Sequence, residues 1–257
     1  MFDRLTDQMR SRSAALLLTV DNRLHRILQA WLLIAGFLAA ARITFAPRMA
    51  PVAGVSTFVS YMLLVVAPFV STLFALSWFK EGDQQPQPRT RLGVIGSWRN
   101  VSTAEARRHP LYGSGGLMVS LMIGMLINVA IRAAEYLAAM PPIPDASPRW
   151  LSVLHTAMTF DVVLFGSLYM IAFVAALRRA PIFPRLLAGI WIADLVMQLI
   201  TANLVAGAGG LPPAVIAPLH HMLDNNVKKV LISAALWLPY LLLSTRVNVT
   251  FRHRVPA

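Results

Sequence analysis

Five polar residues sit inside apolar runs long enough to cross a bilayer: Asn128, Arg132, Asp161, Asp194 and Gln198. A charged side chain at the centre of such a run costs about 2.5–3.5 kcal/mol on insertion scales, so each needs a partner or a task. Asp194 falls about nine residues into its apolar segment, roughly 13 Å along a helix and near mid-membrane. Trp191, Asp194, Gln198 and Thr201 recur at helical spacing and share one face. Asn128, Arg132 and Glu135 do the same on an earlier segment, and Asp161 lies about ten residues into the segment between them. The depths match. The spacing therefore predicts one polar cluster, with Arg132 facing Asp161 or Asp194 and with Asn128 and Gln198 hydrogen-bonding to it. Pairing of Arg132 with Glu135 alone is the local alternative.

Two kinds of chemistry fit such a cluster. A buried carboxylate can relay a proton or an ion, or a polar pocket can hold a substrate head group. The structural alternative is that ion pairs and amide bonds hold helices in register, where no hydrophobic effect between helices does so. Other groups carry less. Asp224 and Lys228 are four apart and could pair at a helix start. His155 reads as an interfacial residue. His220 and His221 splay apart on a helix and have no third ligand spaced for a metal. Met118, Met122 and Met125 form a packing stripe. Pro68 and Pro239 each remove a helix hydrogen bond and so mark kinks. The chain has no Walker A loop, HExxH pair or GxSxG elbow. No catalytic residue, metal site or cofactor is assigned from it.

The elements that must position these residues follow from composition. The 257 residues are 57% hydrophobic and only 13% charged, too little charge to cover a water-soluble domain of this length. There is no cysteine, hence no disulfide or thiolate site. The pattern predicts an all-α polytopic membrane bundle of six helices, at about 27–46, 55–79, 115–138, 151–177, 186–205 and 227–245. Residues 1–26 read as an interfacial amphipathic segment, because the short apolar patch at 14–20 cannot cross a bilayer. A signal peptide ending near Ala39 is the alternative. Residues 80–114 read as a basic loop lying on anionic lipid, with a short helix near 103–109 capped by Ser102 and Glu105. Residues 247–257 read as a tail.

The net charge is +12. With the N-terminus inside, 17 of the 23 Lys and Arg fall on the inner side. This bias places both termini in the cytoplasm. The basic residues cluster at helix ends, which points to anionic head groups as partners and not to nucleic acid. A membrane-protein partner or a second copy of the chain is compatible with this picture.

The stretch from about 114 to 254 carries four features in order: Gly115-Gly116 and a late Arg132 in the third segment; a basic turn with Phe183-Pro184-Arg185; Leu236-Trp237-Leu238-Pro239-Tyr240; and Ser244-Thr245-Arg246-Val247-Asn248-Val249-Thr250-Phe251. Here the chain resembles the YdgK-like family of bacterial inner-membrane proteins. The specific part is Trp237, Pro239 and Tyr240 followed by Ser244, Arg246, Thr250 and Phe251. The resemblance implies a four-helix membrane unit over 115–246 and no established activity. The pair at 27–79 is then an addition or a partial duplication. On the sequence alone the leading reading is a non-enzymatic accessory or structural membrane component. The alternative is a small proton- or ion-coupled transporter using Asp161 and Asp194.

Overall fold

The computed structural model describes residues 2–45, 54–90, 92–93, 95–144 and 146–257, without the side chains of 2–12 and 14. It is an all-α bundle. Six helices are long and apolar enough to cross a membrane: α1 (Phe2–Phe45), α2 (Val55–Trp78), α4 (Leu117–Ala139), α5 (Arg149–Leu177), α6 (Phe183–Ala208) and α7 (Pro213–Leu243). Two short ones, α3 (Thr103–Arg108) and α8 (Thr245–Arg252), lie outside the spans. An even number of crossings puts both termini at one end, called here the termini end.

α5 is the axis of the bundle. It packs along α2, α4 and α6, while α7 packs along α6 and α1 along α2 and α4. Small residues make the close approaches: a Cβ on Gly166 of α5 would stand 3.4 Å from Pro68 Cγ of α2. Trp31 Nε1 of α1 donates to the Val65 carbonyl of α2 at 2.9 Å, near where Pro68 interrupts the helix ladder. At the far end the proline-rich loop after α4 is pinned to the start of α2. Ile143 N donates to Thr57 Oγ1 and Tyr61 Oη donates to the Met140 carbonyl, both at 3.0 Å.

Two boundaries differ from expectation. α1 does not break near residue 26. Nothing between 14 and 31 is Gly or Pro, so no residue stops the helix. Leu17, Val20, Leu24, Leu28 and Trp31 form one stripe against the core. Asp21 pairs with Arg178 at 3.2 Å, which sets the level at which α1 meets the end of α5. α7 begins at Pro213, about four turns before the expected start at 227. Proline at the first helical position is pre-set for a helix start.

The loop at 80–114 and the tail after 246 are the larger correction. They are not separate surface stretches but one folded cap. β1 (Trp98–Asn100) pairs antiparallel with β2 (Arg254–Pro256). α3 has the expected cap, Ser102 Oγ accepting from Glu105 N at 3.2 Å. α8 is almost wholly buried. Ser244 stops α7 in extended backbone, and residues of α8 then satisfy the carbonyls this exposes. Asn248 Nδ2 donates to the carbonyls of Leu242 and Ser244, and Arg252 donates to that of Leu241. Arg252 thus sits at the negative end of the α7 dipole. Burial, then Arg254, lowers its pKa to about 10, so it stays charged at neutral pH.

Gly82 fits this cap only as glycine. A Cβ there would lie 2.5 Å from the Arg178 carbonyl oxygen, which is backbone and cannot swing away. Gly82→Ala should cost about 1–3 kcal/mol, the usual range for overpacking. A thermal melt in detergent checks it; an unchanged midpoint would mean the turn relaxes freely.

His253 adds a pH dependence. It is buried, in left-handed backbone at φ 49°, and its Nε2 has no hydrogen-bond partner. Burial, then the nearby Arg107, lowers its pKa. The unfolded chain takes this proton below about pH 6.5, whereas the folded cap resists it. Its stabilising contribution is therefore complete above that pH and declines beneath it. Amide exchange across β2 should speed up in mild acid. His253→Asn, a residue that tolerates the left-handed region, should flatten the profile. A variant that keeps the acid response would clear His253 as its source.

Candidate functional site

Four of the five polar residues singled out by spacing converge on α5. Arg132 of α4 forks between two carboxylates. One guanidinium nitrogen donates to Asp161 Oδ2 at 2.9 Å, and the other donates to Asp194 Oδ2 of α6. Gln198, one turn beyond Asp194, closes the ring. Its Nε2 donates to Asp161 Oδ1 at 3.0 Å and to Asp194 Oδ1 at 3.3 Å. Gln198 Oε1 in turn accepts from Asn226 Nδ2 of α7 at 3.3 Å. Four helices are thus tied by one network. Every carboxylate oxygen has a partner, as a buried carboxylate requires. Phe165 lies 5.0 Å under the guanidinium, a cation–π contact on a desolvated charge.

The two acids are not equivalent. The Asp194 side chain is 0% exposed, while that of Asp161 is 8% and that of Arg132 is 12%. Arg132 and Asp161 are part of the wall of a cavity of about 440 Å³, together with Glu135, His221, Asn225 and Lys229. Counted as ionised, two carboxylates against one guanidinium leave one formal negative charge in surplus. At the cavity mouth Lys229 of α7 pairs with Glu135 of α4, and the two cancel. The surplus therefore belongs to the ring, at a place where an isolated charge is costly.

α4 and α7 face each other across a cleft. A second cavity of about 430 Å³ continues it toward the termini end, past Gly124, Asn128, Ile131, Trp191, Ile232 and Trp237. A void of about 30 Å³ lies between the two levels, beside Arg132, Tyr169 and Ser233. Lys229 borders all three.

Several expectations need correcting. Asn128 makes no hydrogen bond to the ring; it lies about one turn from Arg132 and faces the cleft. Its place is taken by Asn226, which lay outside the expected sixth helix once that helix was started at 227. Arg132 and Glu135 do not pair with each other. Among the described residues Asp224 and Lys228 form no ion pair; both are exposed, where such a pair gains little. His155, near the start of α5, is buried within the bundle, against Tyr136 Oη at 3.4 Å. Tyr136 fills that space because it also bonds Thr159 at 2.6 Å. The methionine stripe is buried, as expected of packing.

Part of the motif behind the family resemblance lies away from this ring, at the termini end. Arg246 Nη1 donates to the Gly113 carbonyl at 3.2 Å, and Thr250 Oγ1 accepts from Gly113 N at 2.9 Å. Phe251 packs on Phe183 with ring centroids 5.0 Å apart. Trp237 and Tyr240 meet edge to face at 6.0 Å within α7, around Pro239. No protein-family model, curated protein or solved structure matches this chain. The site therefore has to be read from its own geometry.

Proposed function

We propose that this integral membrane protein is a small carrier that exchanges a proton or a cation at the Asp161–Asp194 pair as a solute enters the cavity. The supporting observation is the ring's surplus negative charge beneath an open cavity that Asp161 helps to line. The proposal takes the membrane to be a bacterial inner membrane, with both termini in the cytoplasm; the arginine and lysine bias supports that orientation. Membership of the YdgK-like family is part of the same proposal and rests on the motif from Trp237 to Phe251.

The accessory or structural reading keeps one observation in its favour: all four carboxylate oxygens are already bonded, and Asp194 is sealed. Proteoliposomes separate the two. An internal pH dye under an imposed potassium diffusion potential should report proton entry through the wild type. Entry should be lost in the triple variant Arg132→Leu, Asp161→Asn and Asp194→Asn, which leaves no buried charge without a partner. Equal traces for wild type and variant at two external pH values would leave the accessory reading.

A further inference from the structure

The α4–α7 cleft is polar at one level and apolar at the next. The upper chamber carries Glu135, Asp161, Asn225 and Lys229. The lower groove is walled by Ile131, Ile232, Trp191 and Trp237. Gly124 opens its floor: nothing lies within 4 Å of where its Cβ would stand. From Leu121, also in the groove wall, to Glu135 is roughly 21 Å along α4 at the helical rise, more than the ~15 Å depth of one leaflet. The chamber's own lining balances Arg132 and Lys229 against Glu135 and Asp161, and the one acid in excess is Asp194, buried behind Arg132. The Lys229–Glu135 bridge across its mouth is half exposed, 50% and 47%, and so is cheap to open.

We infer that this cleft binds a single-chain amphiphile drawn from the surrounding bilayer, with a primary amine head and a long alkyl chain. The ammonium group supplies the charge the ring lacks and sits against Asp161. It also competes with Lys229 for Glu135. The chain lies in the groove over Gly124, between Trp191 and Trp237. The inference rests on the carrier reading and names the substrate class of that site.

Tryptophan fluorescence tests it, because Trp191 and Trp237 line the groove. The full-length protein in nanodiscs is titrated with dodecylamine brominated toward its methyl end. The comparisons are the same chain as an alcohol, the same chain as a carboxylate, and brominated bulk lipid. The amine should quench at about tenfold lower concentration than the alcohol. Trp237→Phe should remove much of the quenching. Gly124→Phe should raise the amine concentration needed by about tenfold. Ile232→Phe, which fills the groove from α7, should raise the amine concentration needed as well. Equal quenching by amine, alcohol and bulk lipid, or curves that neither groove variant moves, would overturn the inference. Proton entry is read separately. Flux without amine-selective quenching sinks the amphiphile alone; selective quenching without flux keeps the site and sinks the carrier.

Discussion

Arg132→Leu should yield a protein that barely folds. The substitution leaves Asp161 and Asp194 facing each other across the place where their shared cation stood, with Asp194 fully enclosed. Removing one partner of a buried ion pair costs about 3–5 kcal/mol, because the remaining charge is uncompensated. Two carboxylates left together put the loss at the upper end of that range. A stability of 5–15 kcal/mol is usual for a domain, so this one change consumes a large share. The check is a thermal melt in detergent together with membrane yield. Adding Asp161→Asn and Asp194→Asn to the same chain should recover most of the midpoint, since the triple variant buries no ion. A single variant that melts like the wild type would show that water reaches the ring freely.

The second large effect is expected at the other end of α4. Gly116 sits at φ 66° and ψ −140°, a region open to glycine and closed to a β-branched residue. Its N–H donates to Ser13 Oγ of α1 at 3.0 Å, and a Cβ would meet the Arg246 guanidinium at 3.5 Å. Gly116→Val should therefore cost on the order of 3 kcal/mol, from backbone strain alone. It would also pull α1 and α8 away from the start of α4. Gly124→Ala is the internal control. It lies in the same helix with open space around it, and alanine at a compatible helical position stabilises by about 0.4–1 kcal/mol. Opposite signs at the two glycines would attribute the damage to conformation at Gly116. Equal losses would contradict that account.

The resemblance motif gains a physical meaning from this geometry. Ser244 ends a helix, Asn248 within the motif and Arg252 just after it satisfy its last carbonyls, and Arg246 and Thr250 hold the turn before α4. These residues build the cap and the helix junctions. The ring of Arg132, Asp161, Asp194 and Gln198 is a separate construction in the middle of the bundle, and the carrier proposal concerns it alone.

Which parts were legible in advance follows from the range of the forces involved. Six crossing helices, and the side of each helix that carries its polar groups, are local properties. They come from long apolar runs whose backbone must bond within itself in lipid, and from a fixed helical repeat. Asp194 and Gln198 were placed on one face for that reason, and Arg132 at a matching depth. Proline sets the start of α7 just as locally, at Pro213, but the polar stretch from His220 to Lys229 precedes the apolar run, so hydropathy alone starts the helix at 227. That misplacement hid Asn226.

By itself, then, the sequence determined how many times the chain crosses, which groups had to be buried, and that Arg132 must find an acid. It could not say that Arg132 takes both acids, that Asn226 and not Asn128 joins them, or that a cleft stays open between α4 and α7. Those outcomes depend on which helices become neighbours. Between helices in lipid that choice is made by packing of small surfaces and by a few hydrogen bonds, and neither is encoded at any fixed spacing along the chain. The cap is the same case in miniature. Trp98–Asn100 and Arg254–Pro256 are too short to announce themselves as strands, and they become a sheet only because the six crossings bring both to the termini end.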